Sequence, residues 1–198
     1  MSEHPDADRE RMFVVDHQVV RIEDVFRDDD LILDLGGGGE GVIGQLRGRQ
    51  VVALDQRKDE LEESAPGPIK VVADAKELPF LDESFNAATA FFFLMYVPAS
   101  DRADVLTEAY RVLQPGEALH IWDVKIPPRG NRHQEMFVVP IRAEIPGKII
   151  ETGYGVPWDG REMSADSIAE LAKGAGFTLC SAEEEGETFH LALSKVID

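Results

Sequence analysis

The sequence predicts an α/β protein built on an open, mostly parallel sheet with helices on both faces and an antiparallel C-terminal strand. Three observations carry that expectation. The runs LILDL at 31–35, VVALD at 51–55 and IKVVA at 69–73 have strand length and the nearly continuous apolar character of strands buried on both faces. The segments between them place apolar residues at helical spacing. Each run closes at an acid, Asp34, Asp55 or Asp74, and in an open parallel sheet ligands gather beyond the carboxyl ends of the strands.

The elements follow in chain order. Residues 1–10 are polar and predict a loose tail. MFVVDHQVVRI offers two β-branched runs around Asp16-His17, which predicts a small hairpin, with a helix through Val15, Val19, Ile22 and Phe26 as the alternative. Strand 31–35 runs into the glycines of LGGGGEG, and Val42, Ile43 and Leu46 then mark a helix beginning near Glu40. Strand 51–55 leads to a short helix over 57–63, because Pro66-Gly67-Pro68 stops it. After strand 69–73 come a loop and a fourth strand, 86–91. Ser100 or Asp101 caps the next helix, whose buried face is Val105, Ala109 and Val112 and whose end is Gln114-Pro115-Gly116. A fifth strand covers 118–124, with Asp123 near its carboxyl end facing the acceptor side. Residues 125–163 form an insert with a hairpin over 137–156, turning at Pro146-Gly147 as a type II turn prefers. Ser164 caps a helix bearing Ile168, Leu171, Ala172 and Ala175, and strands 177–182 and 188–195 form a closing antiparallel pair.

Strand, glycine turn and helix start together make a nucleotide-shaped site. Gly36, Gly38 and Gly41 satisfy the dinucleotide pattern G-x-G-x-x-G, and Asp55 stands about where an acid would hold a ribose. Asp34 discriminates between ligands. It lies two residues before the first glycine, where a carboxylate receives the cationic end of a ligand and repels a pyrophosphate.

The blocks ILDLGGGGEG, VVALD, VVADAKELPFLDESFNAATAFFFLMYV and EAYRVLQPGEALHIWDV resemble, in that order, the class I S-adenosylmethionine-dependent methyltransferases, and among them the small-molecule branch related to ubiquinone and menaquinone methyltransferases. The resemblance implies a Rossmann-like sheet closed by an antiparallel C-terminal strand, one methyltransferase domain over 1–198, and S-adenosylmethionine as cofactor. It also implies site roles. Asp55 would hold both ribose hydroxyls, Gln56 would flank the adenine, Asp74 and Ala75 would meet it, and Gly36, Gly37 and Gly38 would pass along the methionine part. Phe91 and Phe92 would line the methyl-transfer channel, where aromatic faces suit a sulfonium. The family has a third glycine where this chain has Glu40; here glycine follows at Gly41. His133 and Tyr154 are the candidates for a general base, which a nucleophilic acceptor does not require. Arg129, Arg132 and His133 in the insert suggest an anionic or polar group on the acceptor, and the hairpin serves as its lid, as cover for a sheet edge, or as the contact of a homodimer. A binder without catalysis, acting as sensor or partner subunit, and a nicotinamide oxidoreductase are the rival functions.

Composition bounds the rest. The chain has 198 residues, 43% hydrophobic and 29% charged, an ordinary globular balance. The formal charge of −18 disfavours nucleic acid, whose binding rests on Lys and Arg contacts to phosphate. No apolar run has membrane-spanning length and the single cysteine allows no internal disulfide or cysteine zinc site, so a small-molecule acceptor, no membrane partner, no metal and a cytoplasmic location are expected.

Overall fold

The computed structural model describes residues 10–197; apart from Glu10, the tail expected over 1–10 lies outside the described residues. Eleven strands are named in chain order: β1 Met12–Val14, β2 Gln18–Arg21, β3 Ile32–Leu35, β4 Val51–Asp55, β5 Ile69–Val72, β6 Phe85–Phe91, β7 Leu113–Val124, β8 Met136–Ile145, β9 Lys148–Pro157, β10 Phe177–Glu185 and β11 Thr188–Lys195. Among the described residues four α-helices are named with them: α1 Val42–Arg47, α2 Lys58–Glu63, α3 Arg102–Val112 and α4 Ala165–Gly174. Ser164 caps α4 through a reciprocal capping box with Ser167, while Asp101 begins α3 without a side-chain cap and pairs with Lys76 instead.

Seven strands form the large sheet in the order β10-β11-β7-β6-β3-β4-β5. The five strands β7, β6, β3, β4 and β5 are parallel, and β11 enters antiparallel beside β7. The chain runs outward from β3 through β4 to β5, then returns to the other side of β3 with β6. The order therefore reverses between β3 and β6, the place where an open α/β sheet leaves a crevice for a ligand. Every residue of β3 is buried, and so is most of β6, whereas edge strand β5 is largely exposed. The acids Glu183 to Glu185, expected in a turn, extend β10 instead, and the turn narrows to Gly186-Glu187; an open sheet edge tolerates exposed charge.

A smaller sheet is built around β8. The hairpin expected at Pro146-Gly147 is present: β8 and β9 pair antiparallel from Met136↔Pro157 to Ile145↔Lys148, and Gly147 takes φ 76° as the second turn residue. The hairpin expected around Asp16-His17 is not. β1 and β2 both run parallel to β8, in registers Met12↔Met136 and Gln18↔Ile141. They are two pieces of one edge strand with an extra residue between them. The break lies opposite Val139-Pro140, where proline has no N–H to give a ladder. On β8, alternate residues Phe137, Val139, Ile141 and Ala143 are fully buried, and Phe137 packs edge-on to the fully buried Trp158.

Side chains join the small sheet and its flanks to the large one. Gln18 Oε1 accepts from the Glu187 amide at 2.8 Å. Buried Arg102 donates to the carbonyls of Leu94, Val97, Arg161 and Glu162, tying the segment after β6 to the segment after β9. On β7 and β11, His120, Trp122 and His190 stack, with Trp122 and His190 rings 4.5 Å apart and 2° from parallel. His120 Nδ1 and His190 Nε2 lie 3.2 Å apart, one ring nitrogen donating and the other accepting.

Burial pushes both imidazoles down to about 4, and for His120 the neighbouring ring adds to the effect. Both are neutral in the native state and must charge on unfolding, so this pair contributes stability that is lost as pH falls from about 6.5 toward 4. Two buried acids, described below, act in the opposite sense over the same range. The effect is therefore read as a difference: relative to wild type, His190→Gln removes one titrating ring and its partner's like-charge neighbour. Urea unfolding from pH 7 to pH 4 is expected to bring the two proteins' stabilities closer by about 2 kcal/mol, less than the full sum because both rings keep some solvent.

Candidate functional site

A cavity of about 820 Å³ opens at the carboxyl ends of β3, β4 and β6. Its floor is the glycine loop, residues 36–41; Phe91 to Phe93 and Tyr96 to Pro98 form one wall, and Gly153 and Tyr154 of β9 form the roof. The loop fits because Gly36 and Gly37 lack Cβ atoms. A Cβ on Gly37 would stand 2.7 Å from Asp34 Oδ2 and 2.9 Å from the Ala53 Cβ, and one on Gly36, at φ 72°, would stand 2.4 Å from the Phe93 ring. The amides of Gly36 and Gly37 both donate to the Leu54 carbonyl, at 2.8 and 3.1 Å, and the Gly39 amide donates to Glu60 O at 2.9 Å. The loop is thereby fastened to β4 and α2. Gly41, at φ 54°, begins α1 and supplies the left-handed turn one residue after Glu40.

Three carboxylates stand along the rim. Asp34 is buried and accepts from Thr89 Oγ1 at 2.7 Å. Burial pushes its carboxyl up to about 7; the Thr89 hydrogen bond works against that rise and the neighbouring Asp55 charge adds to it. Asp55 and Asp74 each cap a local turn with one oxygen, accepting from the amides of Arg57 at 2.8 Å and Lys76 at 2.9 Å. The cations that line the cavity are already engaged: Arg57 with Asp59 and Glu60, Lys76 with Asp101 and Asp74.

The other end is aromatic. Phe92 adopts φ 48°, rare for a bulky residue, where its amide donates to Trp122 O at 2.7 Å. Its ring stacks on Tyr154 with centroids 5.0 Å apart, and Phe91 meets Phe92 edge-on at 4.9 Å. Tyr154 Oη donates to Glu40 Oε2 over 3.4 Å, and Thr152 Oγ1 donates to Glu40 Oε1.

The cavity brings together Asp34, Gly36, Gly37, Gly38, Asp55, Gln56, Asp74, Ala75 and Phe91, all singled out in the sequence, and it includes Tyr154. His133 is exposed and lies outside it. Asp123 is fully buried away from the cavity, accepting from the Met95 and Val124 amides; burial pushes it up to about 7. The basic insert residues also point elsewhere: Arg129 pairs with Asp159, and Arg132 lies over the rings of Phe13 and Trp158. An anionic acceptor inferred from them loses its support. As a base Tyr154 is unsuited, because burial and the nearby Glu40 charge drive its hydroxyl well above the ordinary tyrosine range. Sequence reasoning missed the contacts of Glu40 and the presence of Tyr96 in the wall. The displaced third glycine was the available signal for Glu40.

Residues 33–121 match the family described as a methyltransferase domain. The ubiquinone/menaquinone biosynthesis C-methyltransferase of Desulfotalea psychrophila is 35% identical over 164 residues, 74% of this chain and 65% of that protein. Its counterpart in Brucella canis is 41% identical over 98 residues, covering 42% of this chain and 36% of that one. The chain thus spans less than two thirds of these relatives. Among solved structures, an S-adenosylmethionine-dependent methyltransferase of Methanosarcina mazei superposes with a TM-score of 0.64 at 18% identity, covering 87% of this chain and 95% of that one. A Haloferax volcanii methyltransferase, solved in complex with its Trm112 activator, gives 0.64 at 16% identity over 88% and 85%. These two likenesses are of fold. By domain match and by fold the chain is similar to the S-adenosylmethionine-dependent methyltransferases. Within that class it resembles the ubiquinone and menaquinone C-methyltransferases.

Gly37→Ala tests the close approach of loop and acid. The added methyl meets both Asp34 and Ala53, so the variant is expected to lose about 1–3 kcal/mol of stability, as overpacked sites do. Its affinity for S-adenosylhomocysteine is expected to fall as well. Thermal unfolding and calorimetry measure the two losses; a variant with wild-type values of both would show that the loop has room.

Proposed function

We propose that this protein transfers the methyl group of S-adenosylmethionine to a small-molecule acceptor. The observation that carries the proposal is one cavity joining three rim acids, a glycine-rich loop and an aromatic end. Strand order sets its polarity. Asp55 and Asp74 follow β4 and β5, and Phe91 ends β6, on the other side of β3. At roughly 4.8 Å per strand these ends lie some 10–15 Å apart, about the length of an extended nucleoside–amino-acid ligand.

In this reading Asp55 holds the ribose hydroxyls, Gln56, Asp74 and Ala75 border the adenine, and Gly36 to Gly38 follow the methionine part. Asp34 receives the ammonium group. Phe91 and Phe92 stand beside the sulfonium, whose charge aromatic faces favour. The bound sulfonium supplies the chemical reactivity; this chain's residues hold donor and acceptor in line, exclude water and leave any acid–base step to the acceptor's own acidity. The relatives' name points to quinone-type rings, and a planar acceptor suits the aromatic wall. A nicotinamide cofactor fits poorly, since its pyrophosphate would meet Asp34, Asp55 and Asp74 with no unpaired cation among the lining residues.

The first test is binding and turnover. Calorimetry is expected to show S-adenosylhomocysteine binding and none for NAD, and labelled S-adenosylmethionine is expected to mark a component of a metabolite extract. Binding without any transfer would favour the sensor or partner-subunit reading, and tight NAD binding with no S-adenosylhomocysteine binding would remove both. Asp55→Ala removes a carboxylate from charge-assisted hydrogen bonds worth about 1.5–3 kcal/mol each, so affinity should fall by at least about tenfold. The pH dependence follows from Asp34. Its carboxyl, at about 7 in the free protein, must ionise to receive an ammonium. Affinity for S-adenosylhomocysteine is therefore expected to fall by up to about tenfold per unit as pH drops below 7, and to level off above it. In Asp34→Asn that dependence should vanish; a wild-type profile already flat from pH 5.5 to 8 would take Asp34 out of the site.

A further inference from the structure

We infer that the acceptor meets Glu40 through an N–H or O–H donor, and that Glu40 excludes acceptors carrying a carboxylate or phosphate. The inference rests on the methyl-transfer reading and adds the chemical class of the second substrate. It begins with the glycine shift. Because Gly41 supplies the positive φ, Glu40 is free to carry a side chain, and that side chain crosses to the roof. There Thr152 and Tyr154 hold one carboxylate oxygen each. A carboxylate has about four lone-pair sites, so two neutral donors leave it both charged and able to accept again.

Placement puts the free capacity at the methyl-transfer end. Tyr154, which bonds Glu40, stacks on Phe92 and meets Phe91 edge-on at 6.4 Å. Tyr96 closes the same end, its ring 6.5 Å from Tyr154. Beside them stand Phe93, Val97, Pro98 and Gly153, and the Glu60 charge also reaches Tyr96. The two cavity-lining cations, Arg57 and Lys76, are occupied by Asp59, Glu60, Asp74 and Asp101. Asp34, already committed to the cofactor's ammonium in this reading, is not available to the acceptor. An acceptor entering here meets aromatic faces, the Glu40 carboxylate held on the roof and the negative charge of Glu60 nearby. A donor group gains a charge-assisted hydrogen bond, and an anion meets Glu40 with no cation to offset it.

The test uses the full chain loaded with S-adenosylhomocysteine and three near-isosteric probes: phenethylamine, 2-phenylethanol and phenylacetate. Dissociation constants come from ligand-observed NMR at low and high salt. The amine and the alcohol are expected to bind, and phenylacetate to bind at least about tenfold more weakly, the factor that 1.4 kcal/mol gives. That gap should narrow in 0.5 M salt, which screens charge. In Glu40→Gln, which keeps an acceptor oxygen for Thr152, the gap should close while S-adenosylhomocysteine affinity stays within about threefold. A merely structural Glu40 would weaken all three probes alike. Phenylacetate binding as tightly as the others, or an unchanged order in Glu40→Gln, overturns the inference. The same titrations run on unloaded protein separate it from the methyl-transfer reading: absence of S-adenosylhomocysteine binding refutes that reading, while the change in probe order between wild type and Glu40→Gln still decides for or against Glu40.

Discussion

The open end of the large sheet depends on one close contact, the backbone of Gly37 against the Asp34 carboxyl and Ala53. Residue Asp34 is next to last in a fully buried strand, so its carboxyl sits in low dielectric and holds its proton to about pH 7. Only a residue without a Cβ can pass over it, and the passing backbone is tied to Leu54 and Glu60 by its own amides. Loop shape, acid protonation and the packing of β3 against β4 are therefore one problem. A ligand cation arriving at Asp34 would shift its proton equilibrium without any need to reshape the loop.

A second buried acid shows what makes Asp34 different. Asp123 is the penultimate residue of β7 as Asp34 is of β3, and burial raises both to about 7. Asp123 is surrounded by donors of the chain itself, the amides of Met95 and Val124, with the charge of Arg102 nearby. Asp34 has the Thr89 hydroxyl and a cavity. Equal desolvation thus produces a saturated structural acid in one strand and an acid with unused capacity in another. Solvation alone would not separate them; the count of donors does.

How far the residues revealed this in advance varied with the range of the interaction. Strands β3, β4 and β6 were legible because double-sided burial writes itself as an apolar run, and the rim acids because they follow those runs directly. The hairpin at Pro146-Gly147 was legible because its turn is local. At Asp16-His17 the local pattern misled: β-branched runs on either side of a polar pair fit a hairpin equally well, and the true partner, β8, lies more than 120 residues away. The insert's arginines misled for the same reason, since composition does not say which way Arg132 turns, and Phe13 and Trp158 decide it. Glu40 was visible as a misplaced glycine, but its meaning lies with Thr152 and Tyr154.

The two ends of the cavity are held by different kinds of force. The end beside β4 and β5 is made by backbone: a parallel ladder, Cβ-free turns and carboxylates fixed in local turns. These parts are constrained by sterics, so few side chains could replace them. The roof reaches the loop through side chains: Glu40 to Thr152 and Tyr154, and Lys148 to Gln45. Such contacts exchange easily, because altering one leaves the sheet's ladder intact. A protein arranged this way keeps a fixed seat for one ligand and a revisable cover for another. The match to the methyltransferase-domain family covers 33–121, which holds the glycine loop and the rim acids, while the roof on β9 lies outside that stretch.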